Sequence, residues 1–154
     1  MIKVLFVCHG NICRSTMSQC VLTHLVKKKG LEDCFEINSA ATSREEIGNP
    51  PHYGTVSKLR QVGIPVVPHR AIQMTRADYD YYDYLIGMDS MNIKNMERIT
   101  GHQRGGKIRK MLEYANSSAD CQDPWYNSRF DQTYRDVVTG CTAFLDYLKK
   151  EGKI

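Results

Sequence analysis

Along this chain the apolar positions change period several times, and each change marks an element. Residues 3–7 (Lys-Val-Leu-Phe-Val) form an almost continuously apolar run, the kind that lies buried on both faces in the middle of a parallel sheet, and they predict a first strand. His9, Gly10 and Asn11 end it with a turn. From Thr16 onward Met17, Val21, Leu22, Leu25 and Val26 recur at helical spacing, with Ser15 or Thr16 as cap and Gly30 as stop. Residues 35–39 predict a second strand, and residues 40–53 a long polar loop that holds the break Gly48-Asn49-Pro50-Pro51. Val56, Leu59 and Val62 mark a short helix ending at Gly63, after which residues 64–67 read as a short strand or extended segment leading to His69.

The later half continues the alternation. Thr75-x-x-Asp78 has the form of a capping box, so a brief helix is expected near Arg76. Residues 84–88 predict a third strand ending at Asp89, Ser90 a cap for a helix through Ile99, residues 101–106 a basic turn, residues 108–112 a fourth strand and residues 113–128 a polar loop. Phe130, Tyr134, Val137, Val138, Cys141, Leu145 and Leu148 make a continuous stripe down one last helix, which should pack across the sheet. With no repeat, linker or low-complexity tract, the expectation is one α/β domain over residues 1–154. It should have three layers, a central, mostly parallel sheet of about four strands with helices on both faces. Ligands in such folds sit at the carboxyl ends of the strands, where Cys8, Asp89 and the loop near residue 40 would emerge together.

Composition narrows the class. The chain has 154 residues, 42% hydrophobic and 25% charged, which excludes disordered and collagen-like chains. Its 21 basic and 17 acidic side chains leave a net charge of +4 with no block of five like charges, so no nucleic-acid arm is expected and only a mild preference for anionic partners. The early apolar run is far too short for a signal-peptide core, and nothing later approaches about 18 apolar residues; no membrane segment is expected and the reading is cytoplasmic. Six cysteines, at positions 8, 13, 20, 34, 121 and 141, would suit a disulfide framework only in a small secreted chain, so reduced thiols are expected. Cys8 and Cys13 alone approach knuckle spacing and no second pair accompanies them, so no metal site is expected. Cys20, Cys34 and Cys141 sit among apolar neighbours and read as small buried hydrophobes.

The first loop carries the chemistry. Cys8-His9-Gly10-Asn11-Ile12-Cys13-Arg14-Ser15 joins a buried strand to a helix and has the form Cys-x5-Arg-Ser. Backbone N–H groups of such a turn converge on one point at a helix N-terminus, and Gly10 and Asn11 tolerate the left-handed dihedrals an anion-binding nest needs. Arg14 can set its planar fork against two phosphate oxygens, which a lysine cannot do. The field that holds phosphate also favours a thiolate at Cys8, and Ser15 can donate a hydrogen bond to that sulfur. A buried strand-end thiol and a solvated arginine explain Cys8 and Arg14 singly, but not a Gly, an Asn, an Arg and a Ser together at these offsets.

A thiolate that attacks a phosphate ester needs an acid for the departing oxygen. Asp123-Pro124-Trp125-Tyr126 offers one: Pro124 keeps Asp123 extended, and two aromatics can shield the carboxyl and flank a substrate ring. Asp-Pro also begins ordinary turns, and Asp120 is the rival acid.

These residues give the chain a resemblance, along essentially its whole length, to the low-molecular-weight protein tyrosine phosphatases. The loop from Cys8 to Ser15 resembles that family's phosphate loop, and Asp123-Pro124-Trp125-Tyr126 its acid motif. The resemblance implies a phosphocysteine on Cys8, Arg14 as phosphate clamp, and Asp123 as the acid that protonates the leaving phenol and then activates water. It implies a phosphotyrosine protein as substrate, inorganic phosphate as product and no cofactor. Asn11, Ser15, Ser43 and His69 resemble the polar set that holds the loop, and Asp89 the carboxylate that supports the site. Two departures stand out. Thr16 replaces the usual Pro after Arg-Ser, which should weaken the helix start slightly and leave the chemistry intact. Glu45 falls where many relatives carry an aromatic wall residue, so the slot would have Trp125 and Tyr126 on one side and a negative rim on the other, disfavouring acidic residues beside the phosphotyrosine. Cys8 and Cys13, with four residues between them, are also expected to pair once peroxide oxidises Cys8.

Neighbouring classes fit less well. Thioredoxin-coupled arsenate reductases share the loop but pass the reaction to a later cysteine pair, and residues 35–120 contain no cysteine. Arginine phosphatases of the family carry Thr where this chain has Ile12, and an apolar residue there favours an aryl phosphate. A sugar-transport phosphocarrier lacks the closing Arg and the remote Asp-Pro, and an inactive phosphotyrosine-binding module would have lost Cys8 or Asp123.

Overall fold

The apolar run near the amino end becomes β1 (Ile2–Cys8), whose last five residues are buried. Successive strand residues point to opposite faces, and the packing follows: Val4, Phe6 and Cys8 join one hydrophobic cluster while Leu5 and Val7 join another. β1 therefore has a layer on each side, which explains why it is apolar at every position and not at alternate ones. The computed structural model describes residues 1–103 and 106–154.

β2 (Phe35–Ala41), β3 (Tyr84–Gly87) and β4 (Ile108–Lys110) complete a sheet of order β2-β1-β3-β4, and every pair is parallel. The register sets Cys8 beside Ala41 and Val7 beside Gly87, so the ends of β1, β2 and β3 come out together. One face is covered by α1 (Arg14–Lys28), α2 (Tyr53–Gln61) and α6 (Phe130–Lys150), through Met17, Leu22, Leu59, Val137 and Phe144. The other carries α3 (Asp78–Tyr81) and α4 (Ser90–Ile99), through Tyr79 and Met96. Gly87 lets α4 lie close to β3, since a Cβ there would come within 2.9 Å of both Ile93 and Met96. Among the described residues no helix is long and apolar enough to cross a membrane.

Several boundaries differ from the sequence-based expectation, each for a local reason. α1 begins at Arg14 without a side-chain cap, because Ser15 is engaged by the preceding loop; Thr16 bonds back to the Cys13 carbonyl at 3.0 Å. α4 is capped by Asp89, not Ser90: Asp89 accepts the Asn92 N–H at 2.7 Å and Asn92 accepts the Asp89 N–H at 3.2 Å. Residues 64–67, expected as a short strand or an extended segment, are the latter: the Val67 N–H bonds to the Cys20 sulfur, and an isolated β-bridge joins Ala41 and Gln73. β4 stops at Lys110 and passes into a 3₁₀ turn, Met111–Ala115, ended by left-handed Asn116. The polar loop expected over 113–128 also contains α5 (Pro124–Asn127), started by Asp123. Cys34, in a 3₁₀ turn (Glu32–Cys34), is exposed and not buried, while Cys20 and Cys141 are core residues. Part of the basic turn expected at 101–106 lies outside the described residues.

Candidate active site

β1 delivers Cys8 to the edge of the sheet and α1 starts at Arg14, so the loop between them is wrapped tightly. Asn11 absorbs the curvature at φ 60°, a left-handed conformation that Asn tolerates better than most residues; Gly10 keeps a negative φ. The Asn11 N–H points to Cys8 Sγ at 3.3 Å. Its buried side chain works in two directions: Nδ2 donates to Ser15 Oγ at 2.8 Å, while Oδ1 accepts from the Ile72 N–H at 3.2 Å and from His69 Nε2 at 2.7 Å. Because Ser15 Oγ already accepts from Asn11, its own hydrogen is free for Cys8 Sγ, 3.1 Å away. A chain of donors thus runs His69, Asn11, Ser15, Cys8. Burial holds the His69 imidazole below its usual range, so the neutral ring is the form that supports the loop.

Arg14 is 2% exposed and multiply held. Its Nη1 donates to Asp89 Oδ2 at 2.7 Å and to the Cys121 carbonyl at 2.8 Å; its Nη2 lies 3.5 Å from Asp123 Oδ2. The Cys121 carbonyl is in turn fixed by its neighbour, the Cys121 N–H bonding to the Met88 carbonyl at the end of β3. Burial opposes a charged guanidinium, but the charges of Cys8, Asp123 and Asp89 and the Asp89 hydrogen bond outweigh it and raise the Arg14 pKa further. Nε of Arg14 is buried and has no partner among the described residues.

Asp123 starts α5, accepting the Trp125 N–H at 3.0 Å through Oδ1 while Oδ2 faces Arg14. Pro124 occupies the first helical position, where its missing N–H is not needed. A slot opens over the loop, lined by Cys8, His9, Gly10, Ile12 and Cys13, by Glu45 and Glu46, and by Asp123, Trp125 and Tyr126. Trp125 and Tyr126 remain 55% and 82% exposed, so they stand as rim; Trp125 is braced edge-on by His52, which stacks on Phe130.

The structure brings Cys8, Asn11, Arg14, Ser15, His69, Asp89 and Asp123 together around the loop that follows β1. Ser43 holds the loop at another point, donating to the His9 carbonyl at 2.8 Å, outside the Asn11–Ser15–His69 chain. Asp120, the rival acid, is engaged elsewhere, accepting from Lys110 Nζ at 2.9 Å and from Ser90. Burial opposes its ionisation, but the Lys110 hydrogen bond and charge and the Ser90 donors prevail and hold it below the usual carboxylate range. Glu45 meets His9 beside the slot, its Oε2 accepting from His9 Nε2 at 2.9 Å. Burial, helped by the charges of Cys8 and Asp123, pushes the Cys13 thiol up to about 12. Two participants escaped the sequence reading. Glu46 lines the slot and accepts from Asn49 at 2.6 Å, which its position beside Glu45 could have signalled; the Cys121 contribution comes from backbone and carries no sequence signal.

Comparison with known proteins gives the same picture. The sequence model of the family described as "Low molecular weight phosphotyrosine protein phosphatase" matches residues 3–154. The chain is 40% identical over 156 residues, the full length of both proteins, to "Low molecular weight protein-tyrosine-phosphatase YfkJ" of Bacillus subtilis. The crystal structure of YfkJ superposes with a TM-score of 0.94, covering 98% of this chain and 96% of that one. A "Low molecular weight phosphotyrosine protein phosphatase" of Pongo abelii is 38% identical over 149 residues, 94% of each protein. A drosophila arginine phosphatase is 28% identical in sequence with a TM-score of 0.87, covering 96% of this chain and 98% of its own. The chain therefore belongs to the low molecular weight phosphotyrosine protein phosphatase family, as an enzyme of the cysteine-dependent protein-tyrosine-phosphatase class.

Proposed function

We propose that this chain, acting as one domain, hydrolyses phosphotyrosine in proteins, and aryl phosphates generally, through a phosphocysteine on Cys8. The phosphate sits in the loop formed by residues 8–15 with Arg14 against its oxygens. The Cys8 thiolate attacks phosphorus as the bond to the phenolic oxygen breaks, and Asp123 gives its proton to that oxygen. Asp123, now a carboxylate, takes a proton from water as the water oxygen attacks phosphorus. The sulfur–phosphorus bond breaks, the thiolate is restored and inorganic phosphate leaves. No cofactor enters either step, and the substrate is expected in the cytoplasm.

The observation that carries this reading is the company Arg14 keeps. A guanidinium 2% exposed, held by Asp89 and the Cys121 carbonyl, sits between the nucleophile's loop and Asp123 with one buried N–H unpaired among the described residues, and buried donors are rarely left so. A phosphate oxygen would satisfy that donor and complete the charge clamp. Ile12 supports an aryl substrate: it lies in an apolar cluster with Cys13 and Ala71 and offers a guanidino group no hydrogen bond.

Turnover of p-nitrophenyl phosphate tests the mechanism. Cys8→Ser and Arg14→Ala should each abolish it, since nucleophile and clamp act as one unit, and EDTA should have no effect. Appreciable turnover by Cys8→Ser, or loss of activity in EDTA, rejects the mechanism; faster release of phosphate from phosphoarginine than from phosphotyrosine rejects the substrate class.

A further inference from the structure

A slot for an aryl phosphate needs flat surfaces on which the ring can rest. α5 supplies Trp125 and Tyr126. The loop between β2 and α2 supplies only Glu45 and Glu46, two carboxylates, which cannot stack on a ring. Among the described residues that line the slot, the one remaining ring is the imidazole of His9, next to the nucleophile.

That imidazole is 44% exposed, and a side chain free to rotate would lose entropy on binding substrate. His9 is not free. Its carbonyl accepts from the Ser43 N–H at 3.1 Å and from Ser43 Oγ at 2.8 Å; Ser43 Oγ accepts from the Glu45 N–H at 3.4 Å; and Glu45 Oε2 accepts from His9 Nε2 at 2.9 Å. The hydrogen bonds close a circle through His9, Ser43 and Glu45, tying both the backbone and the ring of His9 to the loop after β2. A carboxylate only accepts, so Nε2 carries the hydrogen of this bond and the ring orientation is set with it. Thr42, one residue before Ser43, fixes the same loop to the Cys8 carbonyl at 2.9 Å.

We propose that His9 is the second aromatic wall of the substrate slot and that Glu45 is a positioning residue, acting on substrate by holding the His9 ring. This rests on the aryl phosphatase reading above and deepens it by naming what determines selectivity for a ring. It also adds to the role expected for Glu45: bonded to His9, it serves as an anchor for the ring as well as a negative rim. The pair is solvent-exposed and worth little to stability; its effect is on where a ring can rest.

The experiment is a double-mutant cycle read as a selectivity ratio, kcat/KM for p-nitrophenyl phosphate over kcat/KM for acetyl phosphate, which carries the same phosphate without a ring. Using a ratio cancels changes that act on the phosphate alone, including removal of a negative charge near it. His9→Ala and Glu45→Ala should each lower the ratio about twofold to tenfold, the span expected for one aromatic pair, mainly through KM for the aryl substrate. The double variant should be no worse than either single one. His9→Phe should recover the ratio, and in that background Glu45→Ala should no longer lower it. A silent Glu45→Ala in the native background, losses that multiply in the double variant, or a His9→Phe variant as poor as His9→Ala would each overturn the proposal. Failure of the unaltered chain to hydrolyse either phosphate would instead overturn the phosphatase reading beneath it.

Discussion

At the scale of single residues, the two acids three positions apart are separated by their partners. Asp123 presents one oxygen to Arg14 at the slot, while the three donors that reach Asp120, one from Lys110 and two from Ser90, belong to a knot outside it. Asp123→Asn should slow phosphoenzyme formation by roughly 10²- to 10⁴-fold for substrates with poor leaving groups, and much less for p-nitrophenyl phosphate, whose phenolate leaves without help. Single-turnover bursts on phenyl and p-nitrophenyl phosphate measure the contrast; a crippled Asp120→Asn with an active Asp123→Asn would reverse the assignment. The placement of Cys8, Arg14 and Asp123, the proposed nucleophile, clamp and acid, was legible in sequence because each sits in a short motif whose spacing is itself the geometry. The partnership of His9 with Glu45 was not, because 36 residues separate them and only the β1–β2 register brings them together.

At the scale of elements, the loop between β1 and α1 is held in shape from outside. His69, on the extended segment after α2, donates to Asn11, which donates to Ser15 beside the Cys8 sulfur. The alternation of strands and helices foretold the sheet that makes this possible. It left residues 64–67 open between a strand and an extended segment, since an apolar run scores alike whether it finds a strand or lies on a helix. Nor could it locate the start of α1, where the loop's own hydrogen bonds pre-empt the cap. Because burial lowers the folded-state pKa of His69 below the ordinary value of 6.5, its contribution to stability is complete above that value. It is lost as the pH falls and the unfolded chain takes the proton first. Chemical denaturation from pH 8 to 5 should show stability declining below about 6.5, with a shallower decline in His69→Gln; equal slopes would mean that another group titrates. The same loop sets up a redox pair. Burial keeps Cys13 a thiol, with a pKa of about 12, so peroxide should act on Cys8 first and Cys13 should then resolve the sulfenic acid as a disulfide. Dithiothreitol should restore peroxide-treated native chain and restore Cys13→Ser far less; equal recovery counts against the pairing.

At the scale of the whole molecule, the parallel sheet sorts six unpaired thiols by where it puts them. Cys20, Cys121 and Cys141 lie in the core layer between β1, α1 and α6, and burial raises all three, Cys121 to about 12. Such thiols rarely present the thiolate that reacts with disulfide reagents. Cys13 touches the slot but is likewise kept protonated. That leaves two: Cys34, exposed in the turn before β2, and Cys8, which opens only onto the slot. One reports on the outside of the molecule and the other on the site. Titration of the native chain with a chromogenic disulfide should therefore consume two thiols quickly and the remaining four only on unfolding. Inorganic phosphate at saturating concentration, seated over Cys8, should reduce the fast class to one, and Cys34→Ser should remove that one. Three or more fast thiols would mean that the layer between sheet and helices is more open than its packing implies. Two fast thiols that phosphate does not protect would mean that the loop from Cys8 to Ser15 is not where the anion binds.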